Sequence, residues 1–123
     1  MKKLIMLCCL VQCMLLNSCW HHSNDISIRY QDNSDSYTMD ARFGRNKTRK
    51  AERYMNDMIG RENNMSFINT RTDAVFTLDD GSKFYMKKSP GHILIRMKRE
   101  ESSDRAFHAM KEMCVGLKDV VLR

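Results

Sequence analysis

The chain has 123 residues, of which 42% are hydrophobic and 29% are charged, an ordinary composition for a globular protein. This length suits one domain, which can bury roughly two-thirds of its unfolded surface in one core. The net charge of +6 falls to about +4 if Lys2 and Lys3 leave with an N-terminal signal, and so mild a positive charge argues against a dedicated nucleic-acid-binding protein.

The N-terminus has the zones of a secretory signal. Two lysines precede the segment from Leu4 to Leu16, which is apolar except for Gln12. As a helix this segment would span about 20 Å, which is too short for a hydrocarbon core of about 30 Å. A helix buried in a soluble domain would be amphipathic, whereas this segment is apolar all round. The pattern therefore predicts a signal peptide.

The residues Leu16-Asn17-Ser18-Cys19 resemble the lipobox of bacterial lipoproteins. In that family a Leu lies three residues before the Cys, a small residue directly precedes the Cys, and the Cys becomes the lipidated N-terminus. Asn17 departs from the usual Ala, Ser, Thr or Val. The resemblance covers about twenty residues and implies cleavage of residues 1–18, lipidation of Cys19 and anchoring in the bacterial cell envelope. Soluble secretion after a nearby cleavage is the alternative.

The cysteines agree with this interpretation. Cys8, Cys9 and Cys13 lie in the signal, so that only Cys19 and Cys114 remain in the mature chain. If Cys19 is a thioether, Cys114 is an unpaired thiol in an exported protein, and burial would explain its survival. If Cys19 is not lipidated, a disulfide between the two is the alternative.

Residues 19–25 form a polar tether that contains His21 and His22. A transition-metal site needs three or four ligands on a rigid scaffold, so we expect a linker and no metal or cofactor. In many lipoproteins of Bacteroidetes an acidic run after the Cys marks export to the cell surface. The tether lacks such a run, and the resemblance therefore implies an anchor that faces the periplasm.

The domain proper is predicted over residues 26–123 and begins with a hairpin. Apolar and polar residues alternate over 26–30 and 37–43, and turn-forming residues lie between them at 32–35. The period then changes to that of a helix, with Asn46 or Thr48 as its cap and Gly60 as the residue after its end. Its apolar face comprises Ala51, Tyr54, Met55, Met58 and Ile59.

A basic cluster occupies the beginning of this helix. Positive charge in a first turn opposes the helix macrodipole, so local stability does not account for it. A partner would account for it: a phosphate, lipopolysaccharide, an anionic lipid headgroup or an acidic protein surface. A solvated helix surface is the alternative. Nucleic acid is not expected, because no aromatic residues are interleaved to stack bases. The candidate partner-binding residues are Arg45, Lys47, Arg49, Lys50 and Arg53.

The second half predicts three strands and a helix. Residues 61–72 read as a loop or a short edge strand, and strands follow at 74–78, 83–88 and 92–97, with a tight Asp-Gly turn after the first. A helix begins after Ser102 and Ser103. Its apolar stripe contains Ala106, Phe107, Met110, Met113, Cys114, Leu117 and Val121.

The order ββαβββα predicts an α+β fold, a two-layer sandwich of about five antiparallel strands with two helices on one face. The segment Leu78-Asp79-Asp80-Gly81-Ser82-Lys83-Phe84-Tyr85 loosely resembles small uncharacterised exported proteins of Bacteroidetes, which implies no activity. The oligomeric state is left open.

No catalytic residues are predicted, since the sequence contains no nucleophile elbow, HExxH, CxxC or phosphate-binding glycine loop. Two classes of function remain. One is a lipid-anchored interaction module that holds an envelope protein or an anionic surface through the open face of the sheet or the basic helix. The other is a carrier or scavenger of a small apolar or anionic ligand in a methionine-lined groove.

Overall fold

The computed structural model describes residues 26–123, so the predicted signal, the tether, His21, His22 and Cys19 lie outside the described residues. The described chain contains five strands and two α-helices. In chain order the elements are β1 (Ser27–Asp32), β2 (Ser36–Arg42), a 3-10 turn (Arg45–Lys47), α1 (Thr48–Met55), a π-helical turn (Asn56–Gly60), β3 (Thr72–Thr77), β4 (Lys83–Ser89), β5 (His92–Lys98), a second 3-10 turn (Arg99–Glu101) and α2 (Asp104–Leu122).

The five strands form one antiparallel sheet in the order β1-β2-β5-β4-β3, with both helices on one face. Strand β5 therefore lies at the centre, where Ile95 is opposite Met39 of β2 and Met86 of β4. All three side chains are fully buried beneath the helices. This arrangement confirms the predicted α+β sandwich and its element order, because side chains of period two on the strands meet apolar stripes of period 3.6 on the helices.

Most of the methionines belong to the core. Their unbranched side chains fill irregular gaps between helices and sheet. The alternative of a methionine-lined groove needs such side chains to line open space. Of the methionines predicted on the stripes only Met58 is exposed, at 38%, and it lines a cavity of about 230 Å³ together with Met110. The fully buried methionines are Met39, Met55, Met86, Met97, Met110 and Met113.

Helix α2 begins and packs as predicted. The Ser103 hydroxyl caps it by accepting the N–H of Ala106 at 3.1 Å, and every residue of the predicted stripe is buried. Cys114 is a free, buried thiol on that stripe, and burial raises its pKa to about 12. A thiol that stays protonated at neutral pH is a poor nucleophile, so the prediction of a core cysteine is confirmed.

The capping residue predicted for the beginning of α1 was wrong. Neither Asn46 nor Thr48 caps the helix, since the N-cap position is Lys47 and carries no side-chain cap hydrogen bond. The Thr48 hydroxyl instead accepts the backbone N–H of Gly91 at 2.9 Å, in the turn between β4 and β5. This contact ties the first turn of α1 to the sheet.

The predicted end of α1 was also wrong. Gly60 does not take a left-handed conformation after the helix but lies in the π-helical turn. Its carbonyl accepts the N–H of Met65 at 2.8 Å, and a Cβ at Gly60 would lie 2.8 Å from the Met65 carbonyl oxygen. Close backbone approach is therefore the reason for glycine. Met58, which was predicted on the apolar face, lies in this π-helical turn and is 38% exposed.

Residues 61–71 form a loop and not a short edge strand, the two structures that the sequence left open. Phe67 anchors it in the core at 1% exposure. Its ring meets Phe76 of β3 edge-on, with 5.7 Å between centroids, and its N–H donates to the Asn56 side-chain oxygen at 2.8 Å. These contacts hold the middle of the loop against β3 and the π-helical turn.

The Asp79–Ser82 turn is fastened to the beginning of α2 through Asp80. One carboxylate oxygen accepts the Ser103 hydroxyl at 2.7 Å and the other accepts the Ser82 N–H at 2.8 Å. These two hydrogen bonds hold the pKa of Asp80 below its usual value, and the one from Ser103 has the larger effect. Gly81 occupies the left-handed region of this turn, at φ +89°.

We expect Asp80→Asn to lower the urea midpoint of unfolding at neutral pH, because a neutral amide accepts weaker hydrogen bonds from Ser82 and Ser103 than the carboxylate does. A lowered pKa in the folded state stabilises the domain above the unfolded pKa of 3.8 and loses that contribution as the pH falls through the folded value. The difference between the wild type and the variant should therefore be constant above about pH 5 and shrink below pH 4. Asp79→Asn is the matched control, and an equal, pH-independent effect of both substitutions would contradict the prediction.

Candidate anion-binding site

A buried ion pair joins α1 to the sheet. Inward side chains alternate along β4 through Phe84, Met86 and Lys88, so the lysine follows two core residues. Its ammonium lies 2.6 Å from a carboxylate oxygen of Glu52 on α1. The side chains of Lys88 and Glu52 are only 1% and 5% exposed, respectively. Each charge therefore depends on the other for compensation.

The ammonium of Lys88 also donates to the backbone carbonyl of Thr70. Three segments distant in sequence thus meet at this one charge: the loop before β3, the end of β4 and α1. A buried pair recovers its desolvation penalty only with good geometry, and an apolar pair of similar volume often gives equal or greater stability. Stability alone therefore does not require Lys88 and Glu52.

A cavity of about 450 Å³ opens above this pair. It lies between the first turn of α1, the loop before β3 and the turn between β4 and β5. Three guanidinium-bearing residues, Arg45, Arg49 and Arg71, line it together with Lys88 and Glu52. We call these three arginines and the two buried residues the arginine cavity.

The arginine cavity has an excess of positive charge. Glu52 is its one carboxylate among the described lining residues, and it is engaged by Lys88. Arg49 donates to the Asn69 side-chain oxygen at 2.9 Å, a neutral partner that orients the guanidinium without neutralising it. Arg45, Arg49 and Arg71 have no ion-pair partner within the described residues. Guanidinium groups hold phosphate and carboxylate in bidentate geometry.

The predicted basic face is divided by the structure. Arg45 and Arg49 line the arginine cavity. Lys47 donates to the backbone carbonyl of Arg123 at the end of α2, and so serves a contact between chain segments. Lys50 and Arg53 are exposed and do not line the cavity. Of the five predicted residues, two therefore line the cavity, one contacts the end of the chain segment after α2, and two lie on the surface outside the cavity.

Sequence reasoning missed Arg71, Lys88 and Glu52. A signal for Lys88 was present, since the alternation that buries Phe84 and Met86 also predicts an inward Lys88. Glu52 lies three residues before Met55 and seven before Ile59, a spacing that places it on the buried face. Arg71 had no local signal, because its position depends on the path of the loop.

Other groups with the potential for chemistry lie elsewhere. His92 and Asp40 form a pair at 2.8 Å on the opposite face of the sheet. Within residues 26–123 no cluster of three or more His, Cys, Asp or Glu side chains is placed to hold a metal ion. The same residues include no helix that is long and apolar enough to cross a membrane.

Comparison of the chain with protein-family models, with curated proteins and with solved structures gave no match.

Proposed function

We propose that this protein is a lipid-anchored, non-catalytic binding module of the bacterial cell envelope, which holds an anionic group of an envelope partner in the arginine cavity. The observation that carries the proposal is the convergence of Arg45, Arg49 and Arg71 on one cavity whose carboxylate is already engaged by Lys88. Anchoring is supported by the resemblance of residues 16–19 to a lipobox, and the mature chain would face the periplasm.

The chemistry of the cavity favours a phosphate or a carboxylate over a neutral ligand. Guanidinium groups are less strongly hydrated than ammonium groups and present paired N–H donors, so an oxyanion replaces water at low cost. The buried Lys88–Glu52 pair below them is neutral as a unit and fixes α1 against β4. The pair and the Lys88–Thr70 hydrogen bond thus anchor the backbone near the three arginines, whose side chains are exposed.

A small anionic ligand is the second candidate, because the cavity has room for one. Small-molecule sites usually enclose about 300–1,000 Å³, and the arginine cavity has about 450 Å³. Such a ligand would contact arginines in place of the methionine-lined groove first considered. The protein would then act as a carrier or scavenger.

We expect inorganic phosphate to bind the full mature protein and the double variant Arg49→Gln/Arg71→Gln to bind it at least about tenfold more weakly, because each charged hydrogen bond contributes about 1.5–3 kcal/mol. Titration calorimetry at low salt measures both affinities. Lys50→Gln/Arg53→Gln is the matched control, since it removes two charges from the same region outside the cavity. Absence of phosphate binding by the wild type, or equal loss in the control, would contradict the proposed site.

Purification from the native envelope separates the two candidates. A partner macromolecule that is lost from the purified wild type when Arg49 and Arg71 are replaced supports the interaction module. A small anion seen on the wild type alone by native mass spectrometry supports the carrier. An identical set of bound molecules on the wild type and the variant would contradict both.

A further inference from the structure

The outer face of the sheet carries a second, larger positive surface. Both helices pack on the inner face, and no element of residues 26–123 covers the outer one. Because strand residues alternate between faces, the outward positions follow directly from the buried ones. Six of them are exposed Lys or Arg residues, which we call the outer cations: Arg29, Arg42, Lys83, Lys87, Arg96 and Lys98.

The six outer cations outnumber the three carboxylates of this face, Asp40, Asp73 and Glu101, so an excess of about three positive charges remains. The two carboxylates on the strands, Asp40 and Asp73, already have partners, since Asp40 contacts His92 at 2.8 Å and Asp73 accepts the Tyr85 hydroxyl at 2.6 Å. Arg29 lies opposite Asp40 and Lys87 lies opposite Asp73 in the sheet. Neither forms an ion pair, nor does any other outer cation within the described residues.

Three other charged or apolar features complete this face. Glu101 lies at the rim of a shallow depression that also includes Arg96 and Lys98, and it forms no ion pair with described residues. The other two features are apolar: Val75 of β3 points outward and is 62% exposed, and Leu94 of β5 points outward and is partly exposed. A face on which polar and charged residues predominate suits docking by charge without insertion into an apolar phase.

The charge and the composition of the outer face indicate which kind of partner binds it. A second copy of the chain would bring six cations against six cations and is repelled. Lysine is depleted in protein interfaces, which favour an apolar centre, and half of the outer cations are lysines. Lysine and arginine near an anionic lipid surface, in contrast, are each attracted to it, with about a fivefold gain in partition per residue.

The length of chain before β1 allows this face to reach such a surface. Seven residues lie between Cys19 and Ser27, the first residue of β1, so eight residue-to-residue steps join the two. Even fully extended they span at most about 28 Å. With Cys19 lipidated, the beginning of the edge strand that carries Arg29 stays within about 28 Å of the headgroups. The outer cations can therefore reach the layer, about one Debye length of 8 Å deep, in which the surface potential of anionic lipid acts.

We propose that the outer face of the sheet lies against anionic phospholipid headgroups, which leaves the helices and the arginine cavity accessible on the other side. This orientation rests on the lipid anchor of the proposed function. The two binding surfaces would then have separate roles, because the outer cations orient the domain on its own membrane and the arginine cavity stays free for an anionic group.

The test reads the reactivity of lysines in the full mature protein, purified from membranes and reconstituted into vesicles. Phosphatidylcholine vesicles with 30% phosphatidylglycerol are compared with pure phosphatidylcholine, and a water-soluble acetylating reagent is followed by mass spectrometry. Lys83, Lys87 and Lys98 report on the outer face, while exposed Lys50 and Lys118 on the helices are internal controls. We expect at least about fivefold slower acetylation of the outer lysines on anionic vesicles only, with reversal by high salt.

A charge variant that retains the reporters sharpens the test. Arg29→Gln/Arg42→Gln/Arg96→Gln should abolish the protection, whereas Arg53→Gln/Arg61→Gln/Arg105→Gln, with the same change in net charge, should retain it. Equal reactivity of outer and helix lysines on anionic vesicles would overturn the proposal. Outer lysines that are protected in intact envelopes but not on vesicles would overturn it in favour of an acidic protein partner.

The same mass spectra test the lipid-facing surface and the lipid anchor independently. The mass of the N-terminal peptide reports whether Cys19 carries lipid. A protein without lipid that still shows protection of the outer lysines would refute the anchor but retain the lipid-facing surface, whereas a lipidated protein without protection would do the reverse.

Discussion

Lys88→Met should destabilise the domain by about 3–5 kcal/mol, because it leaves Glu52 as a buried carboxylate without its cation. The expected loss is a large part of the 5–15 kcal/mol that stabilises a typical domain. The methionine fills nearly the same volume, so a cavity does not account for the effect. Urea unfolding followed by circular dichroism measures it as a lower midpoint at unchanged slope.

Two further variants assign this effect to the ion pair. Lys87→Met removes the adjacent lysine, whose side chain is exposed on the outer face, and should change stability by no more than about 0.5 kcal/mol. Glu52→Met/Lys88→Met replaces both charges with apolar groups and should recover most of the loss. If Lys88→Met costs no more than Lys87→Met, the pair is not buried as the structure places it.

The architecture was predictable because its signals are local. Alternation along β2 and β5 and the stripe on α2 each needed only a short window of sequence. The Asp-Gly turn marked the hairpin between β3 and β4. Ser103 identified the beginning of α2 by its own side-chain chemistry.

The site was less predictable because its contacts are not local. Glu52 and Lys88 are 36 residues apart, and Thr70 joins them from a third segment. The clustering of cations before α1 signalled a positive surface, but the 3-10 turn and the loop decide which arginines share a cavity. The π-helical turn likewise arises from packing around Gly60 and Met65, which a periodicity of 3.6 does not contain.

The lipid-anchor hypothesis is a second, independent prediction with an all-or-none outcome. Mass spectrometry of the N-terminus from membrane fractions should show a wild-type chain that begins at Cys19 and carries two or three acyl chains. Cys19→Ser should lack this adduct, because the diacylglyceryl group forms a thioether with the sulfur. Cys13→Ser, inside the discarded segment, is the matched control and should leave the adduct unchanged.

The acyl chains also determine how the protein leaves the membrane. A single acyl chain gives only marginal binding, whereas two or more anchor a protein stably. High salt should therefore release the outer face from headgroups without extracting the wild type, and detergent should extract it. A soluble, unmodified wild-type chain would overturn the envelope localisation. It would also make a disulfide between Cys19 and Cys114 testable again, although the burial of Cys114 in the core of α2 already opposes that disulfide.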